Sequence, residues 1–258
     1  MLRLTTLTSV LALMAATAMA EEIKVGVSPG EHAEIMEEVA KVAAPMGLEI
    51  DVVEFSDYVI PNTALADGDI QANSFQHVPY LDNQMKDRGF ELSVVGTTIT
   101  TPMGIYSDKI KDITTLADGA KVAIPNDPTN GGRALLLLQD LGFVKLADGT
   151  GLVPSPLDVV ENPKGLKFLE LDAAQLPRTL ADADIAIINT NYAIAAGLSP
   201  KTDSIAMEKA DSPYVNVIVV RKGDEDQPWV KTLVQAYHSD AVKKFIENSY
   251  QGAVITSW

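Results

Sequence analysis

KVAIPNDPTNGGRALLLLQDL, residues 121–141, contains one whole unit of the fold. Lys121 to Pro125 is a short apolar run closed by proline and reads as a strand, and Asn126-Asp127-Pro128 is a turn. From Asn130 to Leu141 the apolar residues Leu135 to Leu138 and Leu141 form a broad face, which predicts a helix with Gly131 and Gly132 in its first turn. A helix start of this kind offers free N–H groups and positive potential to an anion. Arg133 adds a planar fork suited to a carboxylate. The competing reading is a capped helix whose Arg133 pairs with one of the chain's many acids, and the residues alone leave both open.

Outward from this unit the same order repeats. Ile23 to Val27 is a strand, Ser28-Pro29-Gly30 a turn, and Glu31 to Ala43 a helix with Ile35, Met36, Val39, Val42 and Ala43 on one side. Leu48 to Phe55, Ile70 to Ser74 and Leu92 to Thr98 read as strands, with a short helix from Pro79 to Arg88. Lys167 to Leu171, Asp184 to Ile188 and Val215 to Val220 are further strands. Helices are expected at Asn191 to Ala196, near Trp229 to Tyr237, and from Asp240 to Tyr250. Strands alternating with helices imply an α/β fold with largely parallel sheets. Two such blocks are visible, before about residue 105 and between about 106 and 211.

The first twenty residues read as a leader rather than as fold. Arg3 is the one charge at the start, Leu7 to Ala16 is apolar, and Ala18-Met19-Ala20 is a small-x-small cleavage site. The stretch is short for a membrane span. The chain has 20 basic and 35 acidic residues, for a net charge of −15, and losing Arg3 with the leader makes it −16. That balance argues against nucleic acid and anionic membrane surfaces, which need clustered Lys and Arg. There is no cysteine. Without one there is neither a disulfide nor a lipid-acceptor thiol after the leader, so a free, unanchored protein of the Gram-negative periplasm is expected.

One motif is a decoy. Gly26-Val27-Ser28-Pro29-Gly30 fits the G-x-S-x-G nucleophile elbow between a strand and a helix, with His238 downstream. The oxyanion hole needs the N–H of the residue after the nucleophile, and here that residue is Pro29, which has none. A serine hydrolase built on Ser28 is therefore set aside and no catalytic residue is assigned. His32, His77 and His238 are far apart, with no H-E-x-x-H, no Walker loop and no G-x-G-x-x-G, so neither a metal nor a cofactor is expected. Phe75-Gln76-His77-Val78-Pro79-Tyr80 places two rings and an imidazole in a strand-to-helix loop, where open α/β sheets bind ligands. Asn189-Thr190-Asn191-Tyr192 follows a buried strand, and its amides suit either an amine or a carboxylate, though Asn is also a common cap.

Taken together, several runs resemble the NlpA lipoprotein family, the methionine-binding proteins of methionine ABC importers. They include Glu54-Phe55-Ser56-Asp57-Tyr58, Phe75 to Leu81, Val122 to Asn130, Gly132 to Leu137, Ala174-Gln175-Leu176-Pro177-Arg178 and Ser212-Pro213-Tyr214-Val215-Asn216. The likeness runs from about Ile23 to Trp258. It implies a two-lobed periplasmic binding fold, type II-like, with the ligand in the interdomain cleft and no cofactor. The lobes would be residues 21–105 with 212–258, and residues 106–211. It further implies that Tyr58, Phe75, His77 and Tyr80 wall the side-chain pocket and that Arg133 clamps the carboxylate. Asn189 or Asn191, together with Asn216, would hold the head group. The implied role is capture of methionine for an inner-membrane ABC permease by a monomer. Another apolar amino acid or a methionine-containing dipeptide is the alternative cargo.

Overall fold

The computed structural model describes residues 20–209 and 212–258, so residues 1–19 of the expected leader lie outside it. The chain runs β1 (Glu21–Val27), α1 (Glu31–Ala43), β2 (Leu48–Glu54), α2 (Ile60–Asp67), β3 (Ala72–His77), α3 (Val78–Arg88) and β4 (Leu92–Thr100). It continues through β5 (Gly104–Tyr106), β6 (Lys121–Pro125), α4 (Pro128–Asp140), β7 (Lys145–Leu146), β8 (Val159–Glu161), β9 (Lys167–Leu171) and β10 (Ile185–Ile188). The last elements are α5 (Thr190–Ala195), α6 (Pro200–Asp203), β11 (Ala206–Met207), β12 (Val215–Arg221), α7 (Pro228–Tyr237), α8 (Asp240–Tyr250) and β13 (Ile255–Thr256).

Two sheets organise these elements. The first has the order β13-β4-β12-β3-β1-β2 and the second β11-β5-β10-β6-β9. Strand periodicity explains how each is buried on both sides. Along β12, Ile218 and Val220 pack with Ile35, Met36 and Val39 of α1 and with Leu233 and Ile246 of α7 and α8. Val217 and Val219 point the other way, onto Ala64 and Leu65 of α2 and Leu81 of α3. In the second sheet Ile185 and Ile187 face Leu135 and Leu138 of α4, while Ala186 and Ile188 face Leu176, Leu180 and Tyr192.

The expectation of largely parallel sheets is corrected. β1 pairs in parallel with β2 and β3, and β6 with β9 and β10. The pairings of β12 with β3 and β4, of β13 with β4, and of β5 with β10 and β11 are antiparallel. The chain passes between the sheets after β4 and again before β12, and each returning strand enters reversed. The three-residue β5 and two-residue β11 are too short for any periodicity to register. The expected loop around Phe75 to His77 is corrected too. β3 extends to His77 with all six of its residues buried, and α3 begins at the next residue. Asn73 and Gln76 are tolerated inside because their amides bond to one another and to Asn62, which satisfies a polar strand that hydropathy reads as loop.

Candidate functional site

The ends of β3, β6 and β10 converge between the sheets on a small cavity. Ligands lie at such strand ends in α/β folds. The eight residues singled out in the sequence, Tyr58, Phe75, His77, Tyr80, Arg133, Asn189, Asn191 and Asn216, all line this one cavity. Four lining residues are not among those assigned to the site from the sequence: His32, Gln76, Thr101 and Asn130. Asn130 and Gln76 stand inside stretches the sequence had marked. His32 and Thr101 gave no signal, being one polar residue each at an element boundary.

The aromatic end is a cage. The Tyr58 ring lies 6.0 Å from Phe75, 6.0 Å from Tyr80 and 4.9 Å from Tyr192. Tilted and edge-on geometries of this kind hold rings in place. Tyr80 Oη donates to the Tyr58 carbonyl at 2.8 Å, fixing the cage from below. The loop after β2 is bonded to α5 of the other unit: Tyr58 Oη donates to Asn191 Oδ1, and Tyr192 Oη to the Ser56 carbonyl.

The polar end is set by Asn130. His77 Nδ1 accepts the Tyr80 N–H as the cap of α3, so the ring proton is on Nε2 and is donated to Asn130 Oδ1 at 3.2 Å. Asn130 Oδ1 also accepts from Asn189 Nδ2 at 2.8 Å, and Asn130 Nδ2 donates to both oxygens of Asp127. One residue thereby orients two others in the wall. Asn189 precedes α5 without using its side chain as a cap. Asn189 Oδ1 and Asn191 Nδ2 are buried without a partner, one acceptor and one donor left for a ligand.

Arg133 is placed differently from the expected open fork. Its Nε donates to both Glu208 oxygens at 3.1 Å, and its Nη2 to Glu208 Oε2 and to the Thr101 carbonyl. The guanidinium lies 4.3 Å above the Tyr214 ring. The helix terminus also differs from expectation. Pro128 is the first residue of α4, and Asp127 caps it by accepting the Asn130 N–H at 2.9 Å. An internal carboxylate therefore occupies the place assigned to a ligand anion. Gly131 and Gly132 serve packing instead, since a Cβ would sit 2.7 Å from the Pro125 carbonyl oxygen and 2.8 Å from that of Leu152.

Ser28 is buried, with an Oγ that has no hydrogen-bond partner. His238 gives its ring to the Thr97 carbonyl at 2.7 Å and stacks on Trp258. The elbow-like motif is a turn in this fold.

Burial shifts titratable groups in and near the cavity, and it raises the Asp127 carboxyl as well. Burial, reinforced by the Arg133 charge, pulls His77 down from 6.5 to about 3, and burial alone pulls His32 to about 4. Burial pushes Glu31 up from 4.5 to about 8. His32 and Glu31, 3.9 Å apart, are thus two neutral groups rather than an ion pair. Depressed histidines stabilise above 6.5, and that stability is lost as pH falls through their folded values. A raised carboxyl stabilises below 4.5, and that stability is lost as pH rises through about 8. Above 6.5 the two histidines are neutral in both states, and the raised Glu31 carboxyl drives a loss of stability. The stability of the ligand-free protein therefore falls from pH 6.5 toward pH 8, by about 1.4 kcal/mol per unit. Glu31→Gln removes the alkaline fall; a melting temperature that rises from pH 6.5 to 8 in the unaltered chain contradicts the assignment.

A family model described as NlpA lipoprotein matches residues 23–258. The D-methionine-binding lipoprotein MetQ of Escherichia coli is 53% identical over 239 residues, covering 92% of this chain and 88% of that protein. Outer membrane lipoprotein 3 of Mannheimia haemolytica is 45% identical over 240 residues, covering 93% and 91%. Among solved structures, a nutrient binding protein from Burkholderia cenocepacia bound to methionine is 53% identical, with a TM-score of 0.90 over 92% of this chain and all of that one. These relatives overturn the expectation of a protein without a lipid anchor, because they are named lipoproteins. That expectation rested on the missing cysteine, and a residue count reports the absence of one anchoring chemistry without reporting how a family is held at a membrane.

Proposed function

The chain belongs to the NlpA lipoprotein family, and we propose that its cavity takes methionine as a zwitterion and that the loaded protein delivers it to an ABC permease. It is a methionine-binding solute-binding protein with a two-lobed α/β fold. The observation that carries the site reading is a cavity with two chemically different ends. Tyr58, Phe75 and Tyr80 form an aromatic end, and Arg133, Asn189, Asn191 and Asn216 form a polar one. A thioether gains about 0.3–1.5 kcal/mol per aromatic contact. Burying the side chain adds roughly 1.5–3 kcal/mol. In this reading Asn189 Oδ1 accepts from the ammonium and Asn191 Nδ2 donates to the carboxylate, so both asparagines contact the ligand.

The lobes in this reading are the units built on the first and second sheets, with β5 wholly in the second. The protein acts as a monomer, without catalysis and without nucleic acid. Mass spectrometry of small molecules released on denaturation tests the cargo: methionine in near-stoichiometric amount is expected, and a different released molecule replaces it. Phe75→Ala weakens methionine by about 2 kcal/mol, from lost ring contact and burial, and narrows the gap between methionine and leucine. Calorimetric titration with both amino acids checks this, and an unchanged gap removes Phe75 from the specificity wall.

A further inference from the structure

Among the described residues that line the cavity, Arg133 is the one lysine or arginine, and none is Asp or Glu. His32 and His77 are neutral at physiological pH. The charge of Arg133 is met from behind. Glu208 sits outside the cavity, on a surface groove it shares with Leu152 and Tyr214. It reaches the guanidinium with both oxygens, and its own position is fixed by backbone bonds, its N–H to the Met103 carbonyl at 2.9 Å and the Met103 N–H to its carboxylate at 3.3 Å. The other nearby acid, Asp127, has its oxygens taken by Thr129 and Asn130 at the start of α4.

The arrangement leaves a wall that is polar but close to electroneutral. The Nε and Nη2 edge of Arg133 is committed to Glu208 and Thr101, and Nη1 has no hydrogen-bond partner among the described residues. We infer that Glu208 is a specificity-determining residue that sets the net charge of the site, so that it selects a zwitterion over an anion of the same shape. The inference rests on the methionine reading above. A bare Arg133 in a cavity shielded from water would attract any carboxylate and repel an ammonium a few bonds away. Glu208 cancels that repulsion, and Asn189 Oδ1 can then hold the ammonium. The residue touches no ligand and acts through Arg133.

The test uses methionine and its 2-hydroxy analogue, which keeps the thioether and carboxylate and replaces the ammonium with a hydroxyl. Both are titrated calorimetrically into the unaltered chain, Glu208→Gln and Glu208→Asp, with melting curves to confirm that each is folded. The unaltered chain prefers methionine by about 100-fold or more. Glu208→Gln shrinks that ratio by about tenfold or more, and Glu208→Asp, which keeps the charge, preserves it. A merely structural role weakens both ligands together and leaves the ratio alone, so an unchanged ratio in folded Glu208→Gln overturns the inference while leaving the methionine reading intact. Failure of the unaltered chain to bind methionine overturns that reading, and this inference with it. Should Glu208→Gln fail to fold, Glu208→Asp decides alone: a lost preference there overturns the charge argument.

Discussion

Arg133→Ala abolishes methionine binding and also destabilises the ligand-free protein. The two losses have different origins in one geometry. Among the described residues Arg133 supplies the one full positive charge on the cavity wall, and removing a charge-assisted contact to a carboxylate costs about 1.5–3 kcal/mol. Each 1.4 kcal/mol is tenfold in Kd, and the disordered wall adds to the loss, so binding weakens by more than about 100-fold. The stability loss comes from Glu208, which is left as a mostly buried carboxylate without its partner, and from the Thr101 carbonyl and Tyr214 ring that the guanidinium covers. Breaking a buried pair from one side costs about 3 kcal/mol, with the partial exposure of Glu208 reducing it. The double change Arg133→Met with Glu208→Leu separates the effects. It recovers most of the stability, since apolar groups of similar volume replace a buried pair at little cost, and it does not recover binding. Calorimetry and denaturant melts on the three proteins decide the matter, and unchanged methionine affinity in Arg133→Ala would remove Arg133 from the site.

What the sequence disclosed of this pair, and of the fold, follows the range of the signals. The strand Lys121–Pro125 and the helices Glu31–Ala43 and Asp240–Tyr250 were legible because apolar spacing within one element reports its own buried face. β3 was misplaced because its interior residues are amides that satisfy each other, and no apolar alternation marks such a strand. β5 and β11 were invisible for want of length. At the site, residue types pointed to segments that meet at one cavity, since aromatics, amides and one arginine stood near strand ends. Their partners did not show. Glu208 is 75 residues from Arg133 and follows a two-residue edge strand, so nothing local distinguishes it from the other acids of an acidic chain. Asp127 likewise read as a turn residue, and only its contact with Asn130 reveals that the helix terminus is already occupied.

Gly30→Ala is expected to weaken methionine by about 30-fold while costing ligand-free stability far less than that loss implies. Gly30 precedes α1 at φ 86° and ψ −140°, a region that suits glycine alone. The sequence suggested only a turn. In the structure a Cβ at this position would lie 2.5 Å from the carbonyl oxygen of Asn191 and 3.1 Å from its Cα. Both atoms are backbone, so no side chain can swing aside. Asn191 belongs to α5 of the second sheet's unit and Gly30 to the first, and the contact therefore closes the two units together beside the cavity. Alanine strains the local backbone whether the units are together or apart, and it adds the overlap only when they meet. An overlap relieved by separating them costs on the order of 2 kcal/mol, and in the two-lobed reading proposed above, where the ligand is held between the units, that cost falls on affinity. Gly68→Ala supplies the comparison: Gly68 also has φ 86°, yet nothing lies within 4 Å of its Cβ position. It carries strain without overlap, so its melting temperature drops while its methionine affinity stays near that of the unaltered chain. Equal affinities in the two variants would mean that the Gly30–Asn191 contact takes no part in closure, and the loss in Gly30→Ala alone, measured against a similar fall in melting temperature for both, assigns the contact to the closed cleft.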